Sequence, residues 1–162
     1  MNFLKLFEMQ KNLDLKIEKQ HGLEEEPLLE KKILALLVEV GELANETRCF
    51  KFWSLKPPAE TSVILEEYVD GIHFILSLGI EIGMTEGYEF ELLDEEISLT
   101  AHFVHVYEKI AQFEKSHSEA HYLEMFQQYL LLGKVLGFSA EEVETAYVKK
   151  NEVNHDRQKQ GY

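Results

Sequence analysis

The chain has 162 residues, with 16 Lys and Arg against 30 Asp and Glu and a net charge of −14, which argues against a bare Lys/Arg groove on a nucleic-acid backbone. No nucleic-acid partner is therefore expected, although an acidic chain can still hold a polyphosphate through intervening metal ions. Hydrophobic residues make up 45% and charged residues 28%, the mix of a folded domain, and the length suits one domain over 1–162. No apolar run is long enough to span a bilayer, so no membrane partner is expected. Met1-Asn2-Phe3-Leu4-Lys5 lacks a secretion signal's apolar stretch. The single cysteine, Cys49, excludes an internal disulfide and a cysteine-based zinc site, so a reducing cytoplasm is the expected location.

Helical spacing recurs along the whole chain and strand-like alternation does not, so the expectation is an all-α bundle of about six helices. The first covers about Asn2 to Gln20, with Phe3, Leu6, Phe7, Gln10, Leu13 and Ile17 on one side. The second opens near Pro27 and runs to Glu46. A connection rich in aromatic and basic residues, Thr47 to Pro58, follows. The third helix spans about Glu60–Ile82, with Gly83 as its stop, and the fourth roughly Phe90–Lys115. The fifth begins near Ser118 and ends before Gly137. The sixth opens on Ser139-Ala-Glu-Glu142, a capping-box spacing, and runs to about Lys159.

Ile33–Ala44 holds only two charges, Glu39 and Glu42, and its apolar positions surround nearly the whole helix, so burial on almost all sides is expected. At i and i+3 the two carboxylates share a face, about 4.5 Å apart along the axis. Such neighbours repel and lose hydration when buried, so they take up protons or hold a cation between them. The third helix repeats the spacing with Glu67 and Asp70, and Glu66 with Asp70 at i and i+4 is a rival pairing. If the two helices lie antiparallel, four carboxylates face one another, an oxygen-rich cage suited to Mg²⁺. Glu-x-x-Glu pairs are also common on wet helix faces, so either motif alone has a bland reading. No Gly-rich phosphate loop occurs, and Asp70-x-x-His73 only partly matches the paired acid–His spacing of di-iron carboxylate bundles.

Glu39-x-x-Glu42 followed by Glu67-x-x-Asp70 resembles the signature of the all-α nucleoside triphosphate pyrophosphohydrolases, which include MazG-type enzymes and the dimeric dUTPases. Three further segments are similar to the dUTPase branch: Phe50-Lys51-Phe52-Trp53-Ser54, Asp70-Gly-Ile-His73-Phe74, and the ending Lys150-Asn151-x-x-Asn154-x-x-Arg157-Gln158-x-x-Gly161-Tyr162. The resemblance implies Mg²⁺-dependent hydrolysis of dUTP, and of dUDP, to dUMP by a homodimer. It implies that Glu39, Glu42, Glu67 and Asp70 hold the metal, and that Glu39 or Glu42 orients the attacking water.

By the same resemblance, Gln10 reads the base, Trp53 closes the base pocket and Phe74 packs on the sugar. His73 and Asn151 bond the sugar or hold neighbours, and Lys56, Lys150 and Arg157 contact phosphates. Asn154 and Tyr162 organise the C-terminal arm. Asp14 stands where the family's base-reading element has Asn. That departure keeps open a sister activity on another nucleotide such as dCTP. A non-enzymatic helical interaction protein is the alternative outside enzymes. Taken without the family, Trp53 and Phe74 read equally as core aromatics, His73 as a core histidine, and Lys150 and Arg157 as cations complementing a helix end.

Overall fold

The computed structural model describes residues 1–84, 88–93 and 96–161. Among these residues it is all-helical, in the order α1 (Phe3–His21), α2 (Leu29–Thr47), α3 (Thr61–Glu81), α4 (Leu99–Ser116), α5 (Glu119–Val135) and α6 (Ala140–Lys159). The ends follow from local chemistry. Asn2, Ser98, Ser118 and Ser139 each accept a backbone N–H of the first turn through the side chain, and Ser139 with Glu142 completes the capping box. Gly22 closes α1 in the left-handed region at φ 64°.

Helix α3 is the centre of the bundle and packs against α1, α2, α5 and α6, while α4 and α5 form a hairpin that also rests on α2. Its run from Ile75 to Gly79 is buried without a break, as an all-round apolar helix must be. Three tyrosines lock the centre. Tyr129 Oη donates to Tyr68 O at 2.9 Å, Tyr68 Oη returns the bond to Tyr129 O at 3.2 Å, and the two rings stack at 4.8 Å. Tyr122 Oη donates to Ile75 O at 3.1 Å. Each phenol reaches a helix backbone because a glycine leaves room: Gly71 beneath Tyr129, Gly133 beneath Tyr68 and Gly79 beneath Tyr122.

Two boundaries differ from the sequence expectation. Helix α2 begins at Leu29, with Leu28 at its N-cap, because the first helical bond runs from Lys32 N to Leu28 O. Helix α4 begins at Leu99 rather than Phe90. Phe90 instead joins Phe3 and Phe126 in an aromatic cluster, while Gln127 Nε2 and Lys134 Nζ donate to the carbonyls of Glu91 and Leu92. Phe90 and Leu92 thus serve packing against the core, not helix formation; Asp94 and Glu95 lie outside the described residues.

The expected all-round burial of α2 is corrected as well. Ile33, Leu36, Val40 and Leu43 are buried, but Leu34 and Val38 remain 63% and 50% exposed in the single chain. Among the described residues no helix is long and apolar enough to cross a membrane.

Candidate active site

One stripe from each of four helices meets around a cavity of about 390 Å³, within the usual range of small-molecule sites. Helix periodicity supplies the stripes: Gln10 and Asp14 on α1, Lys32 and Glu39 on α2, Asp70, His73, Phe74 and Ser77 on α3, and Lys150, Asn154 and Arg157 on α6.

At one end of the cavity, carboxylate oxygens of Glu39, Glu67 and Asp70 all lie within 4.8 Å of one another. Burial, then the charges of Asp70, Glu42 and Glu67, push the Glu39 carboxyl up to about 7. Glu67 is raised by burial and by Asp70 and Glu42. Asp70 is raised by burial against the pull of Lys150. Glu42 is exposed and outside the group of three, yet it adds to the field on both glutamates. Such a set favours protons or a cation, and hard, oxygen-only donors at this spacing fit a divalent ion such as Mg²⁺.

Lys150 is the counter-charge. Its Nζ donates to Asp70 Oδ2 at 2.7 Å and to Glu66 Oε1 at 2.8 Å. Burial opposes its charge, but these two bonds prevail and hold its pKa above the ordinary value. The rival pairing of Glu66 with Asp70 is thereby placed: Glu66 faces Lys150, and Glu67 joins the carboxylate group.

The other end of the cavity is a buried polar network. Gln10 Nε2 donates to Asp14 Oδ1 at 2.7 Å, and Ser77 Oγ to Asp14 Oδ2 at 2.6 Å. Gln10 Oε1 faces Tyr147 Oη at 2.7 Å and His73 Nδ1 at 2.7 Å. Tyr147 also stacks on His73 at 4.1 Å. Lys32 lies 3.7 Å from Asp14 and pairs with Glu18 and Glu81. Burial holds the Asp14 carboxyl above its usual value despite Lys32, Ser77 and Gln10. Burial, with Lys150, pushes His73 down to about 3, so it is neutral at physiological pH. His73 bonds Gln10 rather than the carboxylate group, contrary to a di-iron arrangement.

The structure therefore gathers Gln10, Glu39, Asp70, His73, Phe74, Lys150, Asn154 and Arg157 around one cavity, with Glu67 beside it. Asn151 is buried one turn from Tyr147, with its side chain turned toward that phenol. Trp53 and Lys56 stand elsewhere. Both are exposed, on a loop braced by Arg48, which donates to Ser54 Oγ at 2.6 Å and Lys56 O at 3.0 Å. Tyr162 lies outside the described residues. Sequence reading missed Lys32, Ser77 and Tyr147. Each was available from spacing: Lys32 is seven before Glu39, Ser77 four after His73 and Tyr147 four before Asn151.

No curated protein matches the chain. A family model described as dUTPase matches residues 2–162, so the match takes in all four helices that build the cavity. The chain belongs to this dUTPase family and is a hydrolase of dUTP.

Proposed function

We propose that this enzyme hydrolyses dUTP, and also dUDP, to dUMP in a Mg²⁺-dependent reaction, within a single domain of residues 1–162. The observation that carries the metal dependence is the clustering of Glu39, Glu67 and Asp70 beside a cavity of nucleotide size. These three, with Glu42 one turn away, would hold Mg²⁺, which when bound supplies neutralisation of the phosphates and polarisation of the scissile bond. Glu39 or Glu42 orients the attacking water. Lys150 and Arg157, both lining the cavity, donate to phosphate oxygens; Arg157 does so through its planar fork.

Phe74 packs against the deoxyribose, where a 2′-hydroxyl would meet its ring. Gln10 has both lone pairs of Oε1 occupied, which leaves its second Nε2 hydrogen to read a carbonyl of the base. Trp53 and Lys56 act from the loop when substrate is bound.

The direct test is pyrophosphate and phosphate release from dUTP, dUDP, dCTP, dTTP and UTP, with Mg²⁺ and with chelator. Turnover of dUTP and dUDP that chelator abolishes is expected. Activity that survives chelation would overturn the metal dependence. Preference for dCTP would move the base assignment, through the Asp14 position, to a sister activity.

We further propose a homodimer working in the cytoplasm. Leu34 and Val38, one turn apart on α2, and Phe52, Trp53 and Leu55 on the following loop are the apolar surface that a second copy would cover. Light scattering on the purified protein should return twice the chain mass; monomer alone would sink this reading.

A further inference from the structure

We propose that Asp14 is a positioning residue that fixes the proton of His73 on Nδ1 and so makes His73 Nε2 an obligatory hydrogen-bond acceptor for a donor of the bound nucleoside. The inference rests on the cavity being the nucleotide site. It follows from counting donors and acceptors through one buried chain of bonds.

A carboxylate only accepts, so the group that Gln10 turns toward Asp14 must be its amide N–H₂. The amide oxygen then points the other way, where it meets both Tyr147 Oη and His73 Nδ1. An amide oxygen cannot donate. His73 Nδ1 must therefore carry the ring proton, and neutral His73 keeps a bare lone pair on Nε2. Ser77 holds the other oxygen of Asp14, and Tyr147 stacks on the imidazole, so neither ring nor carboxylate turns freely.

His73 is only 5% exposed and lines the cavity, and Nε2 has no hydrogen-bond partner among the described residues. An unmet buried acceptor is costly, and a nucleoside O–H or N–H would recover that cost on binding. An amide in place of the Asp14 carboxylate would not impose this polarity. An asparagine there can present either its oxygen or its nitrogen to Gln10. In the second arrangement Gln10 reverses, the proton moves to Nε2, and the subsite becomes a donor. The carboxylate thus permits one polarity where an amide permits two.

The test begins with ¹⁵N NMR of the histidine-labelled, metal-free protein, with His73→Gln used to assign the resonance. The Nδ1–H tautomer is expected in the parent chain and a mixture of tautomers in Asp14→Asn. An Nε2–H tautomer in the parent, or one unmixed tautomer in both proteins, overturns the proposal. A merely structural role for Asp14 would shift the melting temperature and leave the tautomer unchanged. This arm needs no turnover, so it stands apart from failure of the dUTPase reading.

The second arm compares kcat/KM for dUTP with two analogues, one lacking the 3′-hydroxyl and one methylated at N3 of the base. One of them should lose about tenfold or more in the parent, which identifies whether sugar or base supplies the donor. That loss should shrink in Asp14→Asn. If neither analogue loses activity, or the loss is the same in Asp14→Asn, His73 Nε2 is not the selecting acceptor.

Discussion

Glu39→Gln is expected to lower dUTP turnover by about 10³-fold or more while leaving the helical content intact, as read by pyrophosphate release and circular dichroism. Burial and the like charges of Asp70, Glu42 and Glu67 place the Glu39 carboxyl at about 7. Gln keeps the shape and removes the charge that a divalent cation needs. The proton accounting gives a second readout. At pH 7 the metal-free carboxyl is about half protonated, and Mg²⁺ binding requires the carboxylate. Binding should therefore release a proton, seen as a buffer-dependent heat, and apparent Mg²⁺ affinity should fall as pH drops through about 7.

Stability runs in the opposite sense. A carboxyl whose folded pKa is raised binds protons better in the folded state. The metal-free protein therefore loses stability as pH rises from the ordinary glutamate range through about 7, and the loss is complete above that. Glu39→Gln removes this penalty, so the inactive variant should melt higher than its parent at pH 8 without metal. Full turnover in Glu39→Gln, or no difference in its proton release, would remove Glu39 from metal binding.

The carboxylate end of the site was legible in the sequence because helix periodicity alone brings Glu39 toward Asp70 once α2 and α3 pack side by side. What periodicity cannot decide is which acid of an adjacent pair turns inward. Glu66 and Glu67 were separated only by the fold, through Lys150 reaching across from α6. The polar end was harder to read. Gln10 and Asp14 were visible as an i, i+4 pair on α1, but their partners His73, Ser77 and Tyr147 come from α3 and α6, more than sixty residues away in sequence. Spacing places Ser77 on the face of His73 and Tyr147 on the face of Asn151, but which side chains bond across the three helices has no local sequence signature. The fourth helix, expected over Phe90–Lys115, starts late, at Leu99, for a related reason. Phe90 joins a tertiary aromatic cluster and Leu92 packs on the core, and nothing in their spacing distinguishes that from a helix face.

The same limit applies to the glycines of the core, and Gly71→Ala is the change expected to cost the most stability. A Cβ built at Gly71 overlaps the Tyr129 hydroxyl and lies 2.6 Å from its Cζ. Tyr129 is fully buried, and its hydroxyl donates to Tyr68 O at 2.9 Å, so it cannot withdraw without leaving a buried donor unmet. Overpacking and the lost bond together should cost about 2–4 kcal/mol, after the roughly 1 kcal/mol that Ala contributes over Gly as a helix former. Denaturant unfolding measures the difference. Gly41→Ala is the control: its new Cβ meets only Tyr107 Oη, at 3.2 Å, and the change should stay within about 1 kcal/mol.

A double-mutant cycle with Tyr129→Phe isolates the cause. The phenylalanine has no hydroxyl to collide or to strand, so its ring can shift away from the added methyl group at lower cost. The pair should then be less destabilised than the sum of the single changes by about 1–2 kcal/mol. Additive costs would mean that Gly71 is required by its backbone and not by the phenol above it. Because Asp70 and His73 flank Gly71 on α3, displacing Tyr129 also disturbs the helix that aligns both ends of the cavity. The glycine that admits a tyrosine to the core is in this way part of what holds the carboxylates in register.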